Sequence, residues 1–173
     1  PQAIGISSIL ELVARFGNFK WEILHNDFED GPFFTSDFPA AIEKTNGPGV
    51  PNRIVPLAPN LALRILPDLT LGRKRSDLSF ANFDSRSRKL RHNEVVRLNS
   101  LIVRCAEDTV FYRDDLSWVR PFVAKNRHYR VEPCTHRFTT PTGELMLFTQ
   151  AVAANKAGRL NSQHRTARLL LTQ

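Results

Sequence analysis

The sequence predicts a single α+β domain in which a mostly antiparallel sheet is packed by two or three helices. Alternation of apolar and polar residues marks several short strands, such as residues 19–25. A wide apolar face at helical spacing marks residues 93–108. The elements follow in the order helix, strands, two helices and strands, which differs from the regular strand–helix alternation of a parallel sheet.

The N-terminal part is predicted to be a helix followed by a β-hairpin. Ser8 and Glu11 have the spacing of a capping box, in which each side chain accepts a hydrogen bond from the other residue's backbone N–H. Residues 19–25 alternate as a half-buried strand, and residues 26–32 have the composition of a turn. The first strand and a second one, Phe33–Ser36, are therefore expected to pair as a hairpin.

The middle of the chain contains several prolines. Residues 54–57 and 61–66 are predicted as short strands at edge or irregular positions, because a proline cannot donate a ladder hydrogen bond. Residues 78–83 alternate and are predicted to be a strand. Two helices are predicted after them, over residues 93–108 and 116–125.

The chain is expected to end in a β-hairpin and a basic tail. Residues 128–131 are predicted to be a strand, and residues 137–140 and 144–151 the two strands of a hairpin. Residues 1–151 thus make one domain. Residues 152–173 make a basic tail that is either helical or disordered.

Charge and cysteine content restrict the classes of function. The chain has 173 residues and a formal charge of +7, from 24 Lys and Arg against 17 Asp and Glu. Residues 151–173 hold four of the basic residues and no acid, which leaves 20 basic and 17 acidic side chains elsewhere and weakens a nucleic-acid role for the folded body. No apolar run approaches the roughly 20 residues that a transmembrane helix needs.

A few residue types indicate the cellular location and the need for a cofactor or metal. Only two cysteines occur, which favours a reducing, cytoplasmic setting. Neither a glycine-rich nucleotide-binding loop nor a cysteine–histidine set at zinc spacing is present. We therefore predict no cofactor and no metal.

The most informative motif is Phe-Phe-Thr-Ser-Asp-Phe-Pro at residues 33–39. In one interpretation Thr35, Ser36 and Asp37 cap the end of a buried strand and satisfy backbone groups. In the other they form a polar site, with Ser36 or Asp37 as nucleophile, base or ligand anchor and Thr35 as a binding residue. His25 would face this site across the predicted hairpin and supply the base that a serine nucleophile needs. The residues favour the structural interpretation and leave both open.

Asn99 lies on the otherwise apolar face of the 93–108 helix, so its amide must find buried partners. We expect a structural hydrogen bond to a loop carbonyl. A contact with residues 35–37 would in addition bring two separate motifs together, and Asn99 is for that reason a candidate site residue.

Residues 73–91 combine seven basic residues with Phe80 and Phe83. Basic residues interleaved with aromatic ones can hold phosphates and stack bases. The candidate binding residues are Arg86, Arg88 and Arg91. The alternation of the segment favours instead a strand with both phenylalanines in the core. Weak binding of nucleic acid or another polyanion, through residues 73–91 and the basic tail, is the one partner that this composition predicts.

Several segments resemble, in the same order, the family called domain of unknown function 4238. Residues 33–39 resemble its F-x-T-S-D-x-P signature, and residues 55–63 its P-L-S-P-x-x-A-L segment. The 93–108 helix, with its Leu-Asn pair at residues 98–99, resembles the V-x-x-L-N helix, and residues 109–112 resemble the short strand after it. The resemblance implies a fold more than a function, because the family is uncharacterised.

The resemblance covers roughly residues 19–125. Phe38 stands where family members often have asparagine, and an N-terminal segment of H-Y-V-P-x-x-Y-L character is missing. The chain is therefore expected to be the C-terminal part of a longer protein.

Two function classes follow from these observations, and the choice between enzyme and binding protein is left open. The leading hypothesis is a binding or regulatory module of an intracellular protein. The alternative is a hydrolase or nuclease that acts on a phosphorylated or nucleic-acid substrate, with Asp37, Ser36, His25 and Asn99 around its site. If the protein is an enzyme, we expect His25 and Asp37 to converge in a concave pocket. If it is a binding module, we expect an exposed apolar or basic surface.

Overall fold

Strands from distant parts of the chain form two mixed sheets and a two-stranded antiparallel ribbon. The structure is a computed structural model, and it describes residues 6, 9–10, 13–14, 16–45, 50–68, 78–81, 83–140, 143–154 and 168–171. The elements are β1 (Lys20–His25), β2 (Thr35–Ser36), β3 (Ala41–Glu43), β4 (Asn52–Ala58), β5 (Leu61–Leu66), β6 (Asp84–Lys89), α1 (His92–Cys105), β7 (Thr109–Tyr112), α2 (Val119–Asn126), β8 (Tyr129–Thr140), β9 (Gly143–Ala154) and β10 (Arg168–Leu171).

The largest sheet has the strand order β3-β4-β5-β1-β6. Its neighbours are antiparallel except for β1 and β6, which run parallel. A second sheet has the order β10-β7-β2, in which β2 and β7 are antiparallel and β7 and β10 parallel. The ribbon is the antiparallel pair β8–β9. The predicted fold class, α+β with a mostly antiparallel sheet and packing helices, is confirmed.

The core is built around α1, whose apolar face is buried as its periodicity predicts. Val95, Leu98 and Ile102 of the helix are buried together with Leu24 of β1 and Ile54 of β4. Neither α1 nor α2 is long and apolar enough to cross a membrane, and no other helix in the described part of the chain is.

The predicted hairpin between residues 19–25 and 33–36 is wrong. β1 pairs with β5 and β6, whereas β2 pairs with β7 in the other sheet. The chain crosses between the sheets because its turn is bonded to a distant loop. The Asn26 side chain donates to the carbonyls of Gly31 and Pro59, and the Phe33 N–H donates to the Pro59 carbonyl at 2.8 Å.

The predicted strand at residues 78–83 is also wrong. Its described residues form turns, and the Phe83 N–H closes one of them on the Phe80 carbonyl at 2.9 Å. Phe80 has a φ of 54°, in the left-handed region, and both phenylalanines are exposed rather than in the core. The strand begins after them, at Asp84. In this strand, β6, Arg86 is the register partner of Glu22 in the parallel pair β1–β6.

The remaining predicted elements lie close to their predicted positions, whereas β3 has no predicted counterpart. The register of β4 slips between Pro56 and Ala58, as expected of a proline-containing strand. α1 and α2 are confirmed with shifted ends, and residues 129–131 and 137–140 belong to one long strand, β8.

Both ends of the chain extend partly beyond the described residues. Those residues of the first predicted helix that are described, between residues 6 and 17, are helical, while Ser8 and Glu11 lie outside the described residues. Within the predicted tail, residues 152–154 continue β9 and residues 168–171 form β10. Its other residues lie outside the described part.

Candidate functional site

Residues 32–37 are hydrogen-bonded to three distant parts of the chain. The Phe33 N–H donates to the loop between β4 and β5, and the Phe34 N–H donates to Asn99 of α1. The Asp37 carboxylate accepts from the backbone that leads into β7. This segment therefore fixes the relative positions of the large sheet, the main helix and the second sheet.

Asn99 acts on this segment as a neighbouring strand would. Its Oδ1 accepts from the Phe34 N–H at 3.0 Å, and its Nδ2 donates to the Pro32 carbonyl at 2.8 Å. In extended backbone, the C=O of one residue and the N–H of the residue two further on point to the same edge, so one primary amide can bridge both. The expected hydrogen bond from Asn99 to a loop carbonyl is confirmed, and its contact with the 33–39 motif falls at Phe34, one residue before Thr35.

Asp37 binds three consecutive backbone N–H groups. Its Oδ1 accepts from Glu107 at 2.9 Å, and its Oδ2 accepts from Asp108 at 2.8 Å and from Thr109 at 2.9 Å. Hydrogen bonds to an ionised acceptor are stronger than those between neutral groups. The carboxylate thus anchors the loop between α1 and β7, although the side chain itself is exposed.

The other two polar residues of the motif, Ser36 and Thr35, make simpler contacts. The Ser36 hydroxyl donates to the Phe38 carbonyl at 2.9 Å and accepts from the Phe38 N–H. Thr35 is exposed and pairs through its backbone with Phe111. Ser36 therefore has the backbone-satisfying role that the structural interpretation of the motif assigns to short polar side chains, whereas the hydrogen bonds described for Thr35 are those of its backbone.

His25 is placed apart from Ser36 and Asp37. It lies at the end of β1 between Leu61 and Lys89, and its carbonyl accepts from the Leu90 N–H at 2.8 Å. Because the predicted hairpin does not form, His25 and Ser36 belong to different sheets. Within the described ranges, no hydrogen bond or ion pair is found between His25 and either motif residue.

The three basic candidates lie on β6 and at its C-terminal end, and two of them form ion pairs. Arg86 bonds to Glu22, and Arg88 Nη1 lies 2.9 Å from Glu94 Oε1. Arg91 is exposed, and its backbone N–H donates to Glu94 at the start of α1. Two of the three charges are therefore balanced by neighbouring carboxylates.

A buried ion-pair cluster crosses the large sheet, and its three buried members are not among the predicted site residues. Glu22, Glu43 and Arg64 are only 2%, 7% and 8% exposed. Arg64 Nη1 donates to Glu22 Oε2 at 2.7 Å, and its Nη2 donates to Glu43 Oε1 at 3.2 Å. The Arg64 Nε lies 2.9 Å from Glu43 Oε2 without the alignment of a hydrogen bond. Arg97 Nη1 of α1 completes the cluster at 2.6 Å from Glu43 Oε1.

Cross-strand register explains the two ion pairs of Glu22 in this cluster. Glu22 pairs with Arg64 of β5 on one side and with Arg86 of β6 on the other, so opposite charges alternate along one row. Burial raises the pKa of the Glu22 carboxyl, but the hydrogen bonds from Arg64 and Arg86 outweigh it and hold this pKa below its ordinary value. The sequence signal was the position of Glu22 two residues before the buried Leu24, on the same face of β1.

A cleft of about 190 Å³ opens beside the motif, between α1, α2 and the turn at residues 30–31. Its lining residues are Asp30, Gly31, His92, Val95, Val96, Asn99, Trp118 and Phe122. Both polar groups of the Asn99 amide are already bonded. The Asp30 carboxylate and the His92 ring are the remaining polar side chains among the lining residues.

The aromatic wall of this cleft rests on the motif. Phe34 is fully buried and stacks on Trp118, with ring centroids 5.6 Å apart and planes 17° apart. Phe122 meets both rings edge-on, at 5.9 Å from Phe34 and 5.7 Å from Trp118. The Trp118 indole N–H donates to the Asp30 carbonyl at 3.1 Å, so the wall is fixed by packing and by a hydrogen bond.

A second, smaller cleft of about 140 Å³ lies on the other side of the motif, between β4 and β7. Leu57 and Phe111 are among its lining residues. Val96 in the first cleft and Leu57 in the second are both exposed apolar residues, at 42% and 55%. They provide matched positions for comparing the two clefts.

These features define an α+β domain whose polar motif organises backbone segments and whose adjacent cleft has an aromatic wall. The chain belongs to the family described as Protein of unknown function (DUF4238), whose sequence profile matches residues 1–115. All four resembling segments fall inside this match, whereas Trp118 and Phe122 lie beyond it. No curated protein and no solved structure matches the chain.

Proposed function

We propose that this domain is a binding module whose ligand enters the cleft between α1, α2 and residues 30–31. One observation carries the proposal. The side chains of Ser36, Asp37 and Asn99 are bonded to backbone groups, while the concave surface next to them is mostly apolar and aromatic. Concave, mostly apolar surfaces with a few polar groups are typical of binding sites.

The hydrolase or nuclease alternative has less support. Both oxygens of Asp37 accept hydrogen bonds from backbone N–H groups, and His25 lies in the other sheet. A general base must reach the group it deprotonates, directly or through one water. We also propose a cytoplasmic location, which the presence of only two cysteines supports.

The size of the cleft limits what it accepts. Ligand sites for drug-sized molecules measure roughly 300–1,000 Å³, whereas an apolar cavity of about 150 Å³ can hold benzene. At about 190 Å³, the cleft suits one aromatic ring or one branched aliphatic group.

Titration with toluene, followed by the NMR signal of the Trp118 indole N–H, tests the proposal. We expect a saturable shift, because this N–H is hydrogen-bonded at the cleft wall. Val96→Phe should fill the cleft and weaken binding about tenfold or more, since overpacking an occupied site costs roughly 1–3 kcal/mol. Leu57→Phe makes the same kind of change in the second cleft and should leave toluene binding unaltered. An indole signal that does not move, or an equal effect of both variants, would contradict the proposal.

A further inference from the structure

We infer that the natural ligand of the cleft is a polypeptide segment that inserts one apolar or aromatic side chain and places a lysine or arginine beside it. This inference rests on the binding function proposed above and adds the chemistry of the partner. Two properties of the cleft lead to it, namely its size and the charge at its mouth.

The small volume favours an anchor side chain over a free small molecule. A ligand of one ring offers few atoms for contact, and association has a large entropic cost, so useful affinity must come from surface outside the cleft. Val96 lines the cleft and is 42% exposed, so the apolar surface continues from the cleft to its rim on α1. Interfaces commonly gain most of their binding energy from a few residues that fill well-packed pockets, surrounded by weaker contacts.

The charge at the mouth is negative. Glu29 and the cleft residue Asp30 are exposed, and their carboxylates form no hydrogen bond or ion pair with any described side chain. The neighbouring Asp27 is already neutralised by Lys89, whose Nζ lies 2.7 Å from its Oδ2.

The basic residues of this region do not compensate Glu29 and Asp30. The Arg113 guanidinium bonds to the Asp114 carboxylate and reaches only the backbone carbonyl of Glu29. Arg91 precedes α1 but does not line the cleft. A cation next to the anchor of the partner would therefore meet the carboxylate of the lining residue Asp30 and that of its neighbour Glu29, neither of which is paired with a side chain in the described part of the chain. Such complementarity governs partner choice and association rate.

Three end-capped pentapeptides test the inference, each with a central phenylalanine flanked by lysines, by glutamines or by glutamates. Their affinities are measured from the Trp118 indole N–H signal at low ionic strength. We expect the lysine peptide to bind about threefold to tenfold more tightly than the glutamine peptide, and the glutamate peptide to bind most weakly. Added salt should reduce these differences, because it screens exposed charges.

Charge-neutralising variants localise the effect. Glu29→Gln combined with Asp30→Asn should abolish the preference for lysine. The matched control, Asp84→Asn combined with Glu132→Gln, removes the same charge at exposed ion pairs elsewhere and should keep the preference. The fold of each variant is checked by its NMR spectrum.

Each outcome separates the inference from the proposed function. Equal affinities of the three peptides, or a preference for glutamate, would overturn the inference while leaving the binding function intact. Binding of toluene without binding of any peptide would show a site for a free small ligand and would also overturn it. Binding of neither toluene nor peptides would overturn both.

Discussion

Arg64→Met is expected to lower the free energy of unfolding by about 3 to 5 kcal/mol, the cost of removing one partner from a buried ion pair. Arg64 bonds to Glu22 and Glu43, and all three residues are buried. Without the guanidinium, two carboxylates would lack their central counter-charge in a medium of low dielectric constant. Equilibrium urea unfolding of the purified variant measures the effect.

Arg86→Met is the matched control, because Arg86 binds the same Glu22 carboxylate but its side chain is 71% exposed. Exposed ion pairs contribute roughly 0–1 kcal/mol, so this variant should lose less than about 1 kcal/mol. Equal losses in both variants would show that burial does not determine the importance of the cluster. Replacing Glu22, Glu43 and Arg64 together by apolar residues should restore much of the loss, because no buried charge then remains unpaired.

Asn99→Leu is expected to lower the free energy of unfolding by about 2 to 5 kcal/mol. Leucine has a similar volume and no hydrogen-bonding group, so the Phe34 N–H and the Pro32 carbonyl would both lose their partner inside the protein. Each buried backbone group left unsatisfied costs roughly 1–3 kcal/mol. Urea unfolding again measures the change.

Ser100→Ala is the control for Asn99→Leu, since it alters the next residue of α1. The Ser100 hydroxyl donates only to the Arg97 carbonyl of the same helix, and its removal should change stability by no more than about 0.5 kcal/mol. A stability of Asn99→Leu close to that of the unaltered protein would mean that the amide is not needed to hold the motif.

Local sequence patterns predicted most elements of the fold but few of their partners. The alternation of residues 19–25 and the apolar face of residues 93–108 predict a strand and a helix, and both elements are present. The fully buried residues of β1 are nevertheless Glu22 and Leu24, on the face opposite the half-buried Trp21 and Ile23. The pairing of β1 with β5 and β6 brings Glu22 together with Arg64 and Arg86, which are 42 and 64 residues away. No local pattern specifies such a contact, so the hairpin with residues 33–36 was the nearest but wrong choice.

The candidate site was predictable in the same limited way. Asn99 was predictable because a polar amide on an apolar helix face must find a partner. The cleft was not, because three separate segments contribute to it. Gly31 lies in a turn, Val96 lies on α1, and Trp118 immediately precedes α2. None of these positions belongs to a recognisable sequence motif.

The stability of Asp37 variants tests the central claim that the 33–39 motif is architectural. Urea unfolding should show a loss of about 1 to 2 kcal/mol for Asp37→Ala, because three backbone N–H groups lose a charged acceptor at an exposed site. Asp37→Asn, which keeps one acceptor oxygen, should lie between Asp37→Ala and the unaltered protein. Thr35→Ala, at an exposed position of the same motif, should change stability by only a few tenths of a kcal/mol. Unchanged or increased stability of Asp37→Ala would contradict the claim, since it is the result expected when a residue is kept for function at a cost in stability.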